Sequence, residues 1–223
     1  MKQELLIGIT ESGVMHTDAD PPIPLETKFQ MVKESGVYDY FDKTPPLELE
    51  DDYRRCSDKY ELPILAGGWF YVLGRDEDLL MENLRLGARL GSLVHNTQII
   101  MDHQDGSLVS DEQVVEIYLR AYETGEACGC RPTFEVHINM WSEDFRRIEK
   151  VADLVEKQGI PFRMTLDHSH VIFKIDNPRE QEVFNIRESI ENEDLVLDPF
   201  QDNHVCGKWI DRGFVNHCHA RAA

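Results

Sequence analysis

Three side chains far apart along the chain, Glu135, Asp167 and His219, could together do chemistry that none of them could do alone. Two carboxylates and an imidazole form a donor set for a divalent cation such as Mn²⁺, Mg²⁺, Co²⁺ or Zn²⁺, with positions left over for substrate oxygens. Each stands at or near the end of a run rich in β-forming residues, at 133–138, 162–166 and 214–221. A carboxylate that ends a strand is more often a solvated loop residue or a helix cap, and a lone histidine is more often structural than ligating. Three such residues on successive strand ends are harder to explain that way. Parallel strands of an α/β barrel carry their C-terminal ends to one rim, where such folds place their chemistry.

The elements that must position these groups alternate along the chain. Residues 131–170 read as strand, helix, strand. The helix has Ser142 as its N-cap, acids Glu143 and Asp144 in its first turn, and an apolar stripe of Phe145, Ile148, Val151, Leu154 and Val155. Gly159 stops it and Pro161 prevents its restart. Upstream, strands are expected at 5–10, 37–41, 62–70 and 93–101. The third of these runs into a glycine-aromatic loop holding Gly67, Gly68 and Trp69. Helices are expected at 25–35, 47–60, 76–90 and from a cap at Asp111. Beyond His170 a helix is expected from Pro178 to near Glu193, then an irregular stretch over 195–212. Strands recur about 30 residues apart, the size of one unit of a (β/α)₈ TIM barrel. A doubly wound open sheet is the competing plan, but Gly8-Ile9-Thr10-Glu11-Ser12-Gly13 is a poor match to GxGxxG. Seven strands are found, so a single barrel domain over 1–223, C-terminally truncated, is expected. Its first and seventh strands would be open edges, and a homo-oligomer is one way to cover them.

Composition narrows the function classes. With 42 acidic against 23 basic residues, the net charge is −19. Nucleic-acid binders present a basic surface, because phosphate contacts supply most of their affinity, so no nucleic-acid partner is expected. No apolar run approaches the roughly 20 residues that span a bilayer, and residues 1–7 lack signal-peptide organisation, so no membrane partner is expected. Five scattered cysteines without a CxxC pair fit a reduced, cytoplasmic protein, and the C-x-C of Cys128 and Cys130 reads as buried thiols. Trp69 is equally readable as an apolar pocket wall and as a core aromatic. His95, Gln98, Asp102 and His103 surround the fourth strand's end without a ranking, and His137 and His168 read as structural or supporting.

Three segments resemble the xylose isomerase-like TIM-barrel superfamily, which holds sugar isomerases, ketose 3-epimerases, dehydratase-like enzymes and endonuclease IV-type repair enzymes. Phe134-Glu135-Val136-His137 resembles its fifth-strand segment with a ligating Glu. Leu166-Asp167-His168-Ser169-His170 resembles its sixth-strand D-x-x-H, and His217-Cys218-His219-Ala220-Arg221 its H-x-H strand. The resemblance implies Glu135, Asp167 and His219 as metal ligands, Glu135 also as the base, His170 on a substrate hydroxyl, and Arg221 on a carbonyl oxygen or acidic group. It implies proton transfer next to a carbonyl in a sugar or polyol, as an isomerase or epimerase. The family's last ligand, a Glu on the eighth strand, has no counterpart in this chain. Two alternatives are an endonuclease IV-type phosphodiesterase, which would need a basic groove, and a non-catalytic barrel remnant acting as a binding module.

Overall fold

The computed structural model describes residues 5–14 and 22–220. Strands β1 (Gly8–Thr10), β2 (Tyr40–Asp42), β3 (Ile64–Tyr71), β4 (Val94–Ile99), β5 (Arg131–Glu135), β6 (Met164–Asp167) and β7 (Val215–His219) form one sheet in sequential order. Every neighbouring pair is parallel. The sheet curls far enough that His219, ending β7, comes within 3.7 Å of Asp42, ending β2. The architecture is an incomplete TIM barrel.

Alternation along each strand separates two environments. On the outer face Phe134, Leu166 and Phe41 pack against helices α1 (Leu25–Ser35), α2 (Glu50–Tyr60), α3 (Glu77–Leu90), α4 (Asp111–Cys128) and α5 (Phe145–Glu156). Phe41 stacks on Phe29 of α1 at 4.4 Å, and Phe134 meets Tyr118 of α4 edge-on at 5.0 Å. The inner face carries Asp42, Asn96, Gln98, Thr133, Glu135, Thr165, Asp167, His217 and His219, a polar lining for which parallel strands have no packing use. Gly67 and Gly68 let strands approach on both faces. A Cβ on Gly67 would meet Thr44 Oγ1 at 2.3 Å, and one on Gly68 would meet the Asn96 carbonyl at 2.9 Å. They lie inside β3, which runs on to Tyr71, and not in the loop expected from sequence.

Other departures have local causes. Ser142 is not the cap of α5: it sits in a short 3₁₀ turn and donates its hydroxyl to the Glu135 carbonyl at 2.6 Å. Asp144 caps instead, accepting from Arg146 N, and Leu154 is only half-buried where Ala152 is fully buried. Ser110, in a capping box with Gln113, caps α4 in place of Asp111, which pairs with Arg147 at 2.6 Å. β1 is shorter than expected, since Leu5, Leu6 and Ile7 are exposed and only Gly8–Thr10 pairs with β2. The helix expected to end near Glu193 is broken into α7 (Pro178–Gln181), a 3₁₀ turn and α8 (Arg187–Glu191), because Phe184 and Asn185 take φ of 60° and 51°. The stretch read as irregular holds α9 (Val205–Asp211), anchored by the buried Trp209. Cys130 is buried and Cys128 partly so. No helix among the described residues is long and apolar enough to cross a membrane.

Candidate active site at the strand ends

Glu135, Asp167 and His219 are the final residues of β5, β6 and β7, so the strand geometry delivers all three to one rim. Glu135 Oε1 lies 2.9 Å from His219 Nδ1. Its other oxygen accepts from Asn96 Nδ2 at 2.7 Å and from the Gln98 amide, both on β4. Asp167 caps α6 (His168–Ile172), accepting from Ser169 N at 2.9 Å and Ser169 Oγ at 2.6 Å through Oδ1. Its Oδ2 stands 3.4 Å from His170 Nε2. Glu135, Asp167 and His170 therefore make one compact buried set. A second set, Asp42, His217 and His219, adjoins it, and the Glu135–His219 contact joins the two.

Below these groups runs a layer of hydrogen bonds. Thr133 and Thr165 hydroxyls lie 2.7 Å apart, and Thr165 Oγ1 lies 3.3 Å from His217 Nδ1. The rim holds three carboxylates and so demands positive charge. Burial pushes Glu135 up, but His219, Gln98 and Asn96 outweigh it and hold the carboxyl below the usual glutamate range. Burial likewise opposes ionisation of Asp167, while His170 and Ser169 draw it well below the usual aspartate range. Burial alone would lower His219, yet Asp42 and Glu135 on its two sides raise it to about 10. Its neighbour His217 is pushed down by burial and by the charge on His219. Without a cation, the His219 proton supplies the missing charge.

A divalent cation fits this donor set. The carboxylates are held ionised, as ligands must be, and His219 Nε2 is buried without a hydrogen-bond partner. Of the substrate contacts expected from sequence, His170 is at the rim, its ring 3.9 Å from that of His137. Trp69 packs against the main core with Lys43 Nζ 5.7 Å over its ring. Phe70, its neighbour on the opposite face of β3, meets His137 edge-on at 6.1 Å and so borders the rim. Arg221 lies outside the described residues. His95 is fully buried on the helix side of β4, between Thr44 Oγ1 at 3.1 Å and Tyr71 Oη at 2.7 Å. Asp42 and Asn96 are not singled out from sequence, and His217 enters there only as the first histidine of the H-x-H segment. For Asp42 the usable signal was the same as for Glu135, an acid closing an apolar strand.

No protein-family model matches the sequence, and no curated protein matches it. Solved structures do match. The D-psicose 3-epimerase of Clostridium cellulolyticum H10 aligns at TM-score 0.56 and 13% identity, covering 96% of this chain and 83% of the epimerase. A sugar phosphate isomerase/epimerase of Parabacteroides distasonis ATCC 8503 aligns at 0.53 and 13% identity, covering 97% and 86%. A xylose isomerase domain protein of Planctomyces limnophilus aligns at 0.50 and 10% identity, covering 76% and 66%. The fold is that of the xylose isomerase-like TIM barrels. At these identities the likeness is one of fold. The shared rim position of Glu135, Asp167 and His219 follows from β5, β6 and β7 being successive neighbours in one parallel sheet.

Proposed function

We propose that the rim binds a divalent cation through Glu135, Asp167 and His219, and that the protein isomerises or epimerises a small sugar or polyol by moving a proton next to a carbonyl. The contact that carries this reading is the 2.9 Å approach of His219 Nδ1 to Glu135 Oε1, which joins residues 84 positions apart beside Asp167. A bound Mn²⁺, Mg²⁺, Co²⁺ or Zn²⁺ would polarise the substrate carbonyl and acidify the neighbouring C–H. Glu135 is the proposed proton acceptor. Its depressed pKa makes it a weak base, so the reaction depends on that acidification. His170, oriented by Asp167 and by the His137 ring, is placed to hold a substrate hydroxyl. Phe70 offers an apolar wall at the same mouth, partly open to solvent. Arg221 is proposed to meet a carbonyl oxygen or an acidic group of the substrate.

Two measurements test this reading. Mn²⁺ should bind the wild-type protein and fail to bind a Glu135→Gln/Asp167→Asn double variant. Free ketoses incubated with the Mn²⁺-loaded protein in deuterated water should take up deuterium at the carbon next to the carbonyl. Identical Mn²⁺ binding by the two proteins would remove the cation site. Binding without deuterium uptake from any common ketose would remove the proton-transfer chemistry.

A further inference from the structure

We infer that Gln98 is a displaceable latch on Glu135, and that the protein therefore selects ketoses with a hydroxyl flanking the carbonyl, whose oxygen takes over the Gln98 amide. The inference rests on the proton-transfer reading above and deepens it to a substrate class. Asn96 and Gln98 lie two residues apart on β4, so both side chains leave the sheet on its inner face. β4 and β5 run in register through Asn96–Thr133 and Thr97–Phe134, and the next step brings Gln98 beside Glu135. Asn96 Nδ2 donates to Glu135 Oε2 at 2.7 Å, and Gln98 Nε2 donates to the same oxygen. A carboxylate oxygen offers about two lone-pair sites, so the two amides fill Oε2. Oε1 is turned to His219 Nδ1, 2.9 Å away, on the side given above to the cation. An oxygen next to a cation is the less basic of the two, so a proton from substrate belongs on Oε2. One amide has to leave first.

Packing decides which amide leaves. Asn96 is 3% exposed, and the β3 backbone presses on it: a Cβ on Gly68 would stand 3.0 Å from Asn96 Cβ and 3.4 Å from Asn96 Nδ2. Its short side chain stays on Glu135. Gln98 is one methylene longer and only partly buried, and its register partner on β3 is Phe70, which is half-exposed at the mouth. Gln98 can swing and Asn96 cannot. A freed amide left without an acceptor forfeits its hydrogen bond in a half-buried place. A hydroxyl oxygen next to the substrate carbonyl replaces the one it gives up. The C–H bond then breaks, its electron pair forms the C=C of the enediolate as the carbonyl π pair moves to oxygen, and the proton goes to Oε2. An analogue lacking that hydroxyl leaves the latch closed or the amide unpaired, and either slows the proton transfer.

The test uses the whole chain. D-fructose, L-sorbose and D-xylulose are screened with the Mn²⁺-loaded wild type for deuterium uptake, and the fastest is compared with its 1-deoxy and 3-deoxy forms. The wild type should disfavour at least one deoxy form by about 10- to 100-fold, the range of one unmade hydrogen bond. Gln98→Leu should shrink that preference about tenfold, by faster uptake from the deoxy form. In calorimetry Gln98→Leu should bind Mn²⁺ as tightly as the wild type, whereas Asn96→Leu should lose about 10–100-fold as a fixed support of Glu135. In the Mg²⁺-loaded wild type, the Gln98 side-chain amide signals, assigned by their absence from Gln98→Leu, should shift when the ketose is added. Should Gln98→Leu fail to fold by circular dichroism, Gln98→Ala takes its place. An unchanged preference in the folded variant would overturn the latch and leave the proton-transfer reading standing. So would amide signals that a turned-over ketose does not move, or a Mn²⁺ loss in Gln98→Leu equal to that in Asn96→Leu. No uptake from any of the three ketoses would remove the proton-transfer reading and the latch with it.

Discussion

Between Thr44 and Tyr71 the His95 ring is fully buried, away from the water that would solvate its charged form. The Tyr71 hydroxyl, which accepts from Asn83 Nδ2 at 2.9 Å, lies 2.7 Å from His95 Nε2, and Thr44 Oγ1 lies 3.1 Å from His95 Nδ1. Burial lowers this imidazole from its ordinary 6.5 to about 4. Between those values the unfolded chain holds more protons than the folded one, so stability falls as pH drops through that window and is flat below it for this group. His95 should therefore cost about 2 kcal/mol of stability between pH 7 and pH 5. His217, also pushed down, adds to the loss in the same direction. His219 works on the other side: its contribution is complete below 6.5 and is lost as pH rises through about 10. Urea unfolding at pH 7 and pH 5 should show a smaller drop for His95→Gln than for the wild type, and equal drops would contradict the assignment. The same scale shows what could be read from residues alone. Glu135, Asp167 and His219 were legible because each closes a recognisable β-run. Asp42 obeys the same rule, but the apolar pattern of its strand stops at Phe41, so the carboxylate lies one residue beyond the expected strand 37–41.

Helices and strands with strong periodicity came out of the sequence nearly intact: α1 spans Leu25–Ser35 as expected, and α5 keeps Phe145, Ile148, Val151 and Val155 buried. The segment after β6 did not, because its order comes from contacts distant in sequence. Lys174 lies there fully buried, with Nζ 2.8 Å from Glu143 Oε1 and 3.0 Å from the Glu180 carbonyl. Glu143, next to α5, also accepts from Asn139 N at 2.6 Å. One buried ion pair thus ties the broken helical segment to the β5–α5 connection, which carries His137, close beyond the end of α6, which carries His170. A helix pattern over 178–193 could not foresee this, since the pair joins residues 31 positions apart. Lys174→Met leaves Glu143 buried without its cation and should cost about 3–5 kcal/mol. Adding Glu143→Gln removes the stranded charge while keeping an acceptor for Asn139, so the double variant should be the more stable of the two. Denaturant titrations of both variants check this. A single variant within 1 kcal/mol of the wild type, on the order of an exposed pair's worth, would mean that the pair is not load-carrying.

Across the described sheet, the strand ladder is longest between β3 and β4. β3 and β4 pair from Ala66 and Val94 to Tyr71 and Ile99, whereas β1 and β2 pair only through Gly8–Thr10 and Tyr40–Asp42. The incomplete barrel was legible as a count of seven alternating units, because periodicity and turn residues are local. Its curvature was not, because the closeness of β2 to β7 depends on the twist summed over every strand between them. That curvature brings β2 and β7 together without adjacency in the sheet, with Asp42 Oδ2 3.7 Å from His219 Nε2. In hydrogen exchange, β4 and β5 amides should be the best protected, while β1 and β7, each with one neighbour among the described strands, should exchange faster.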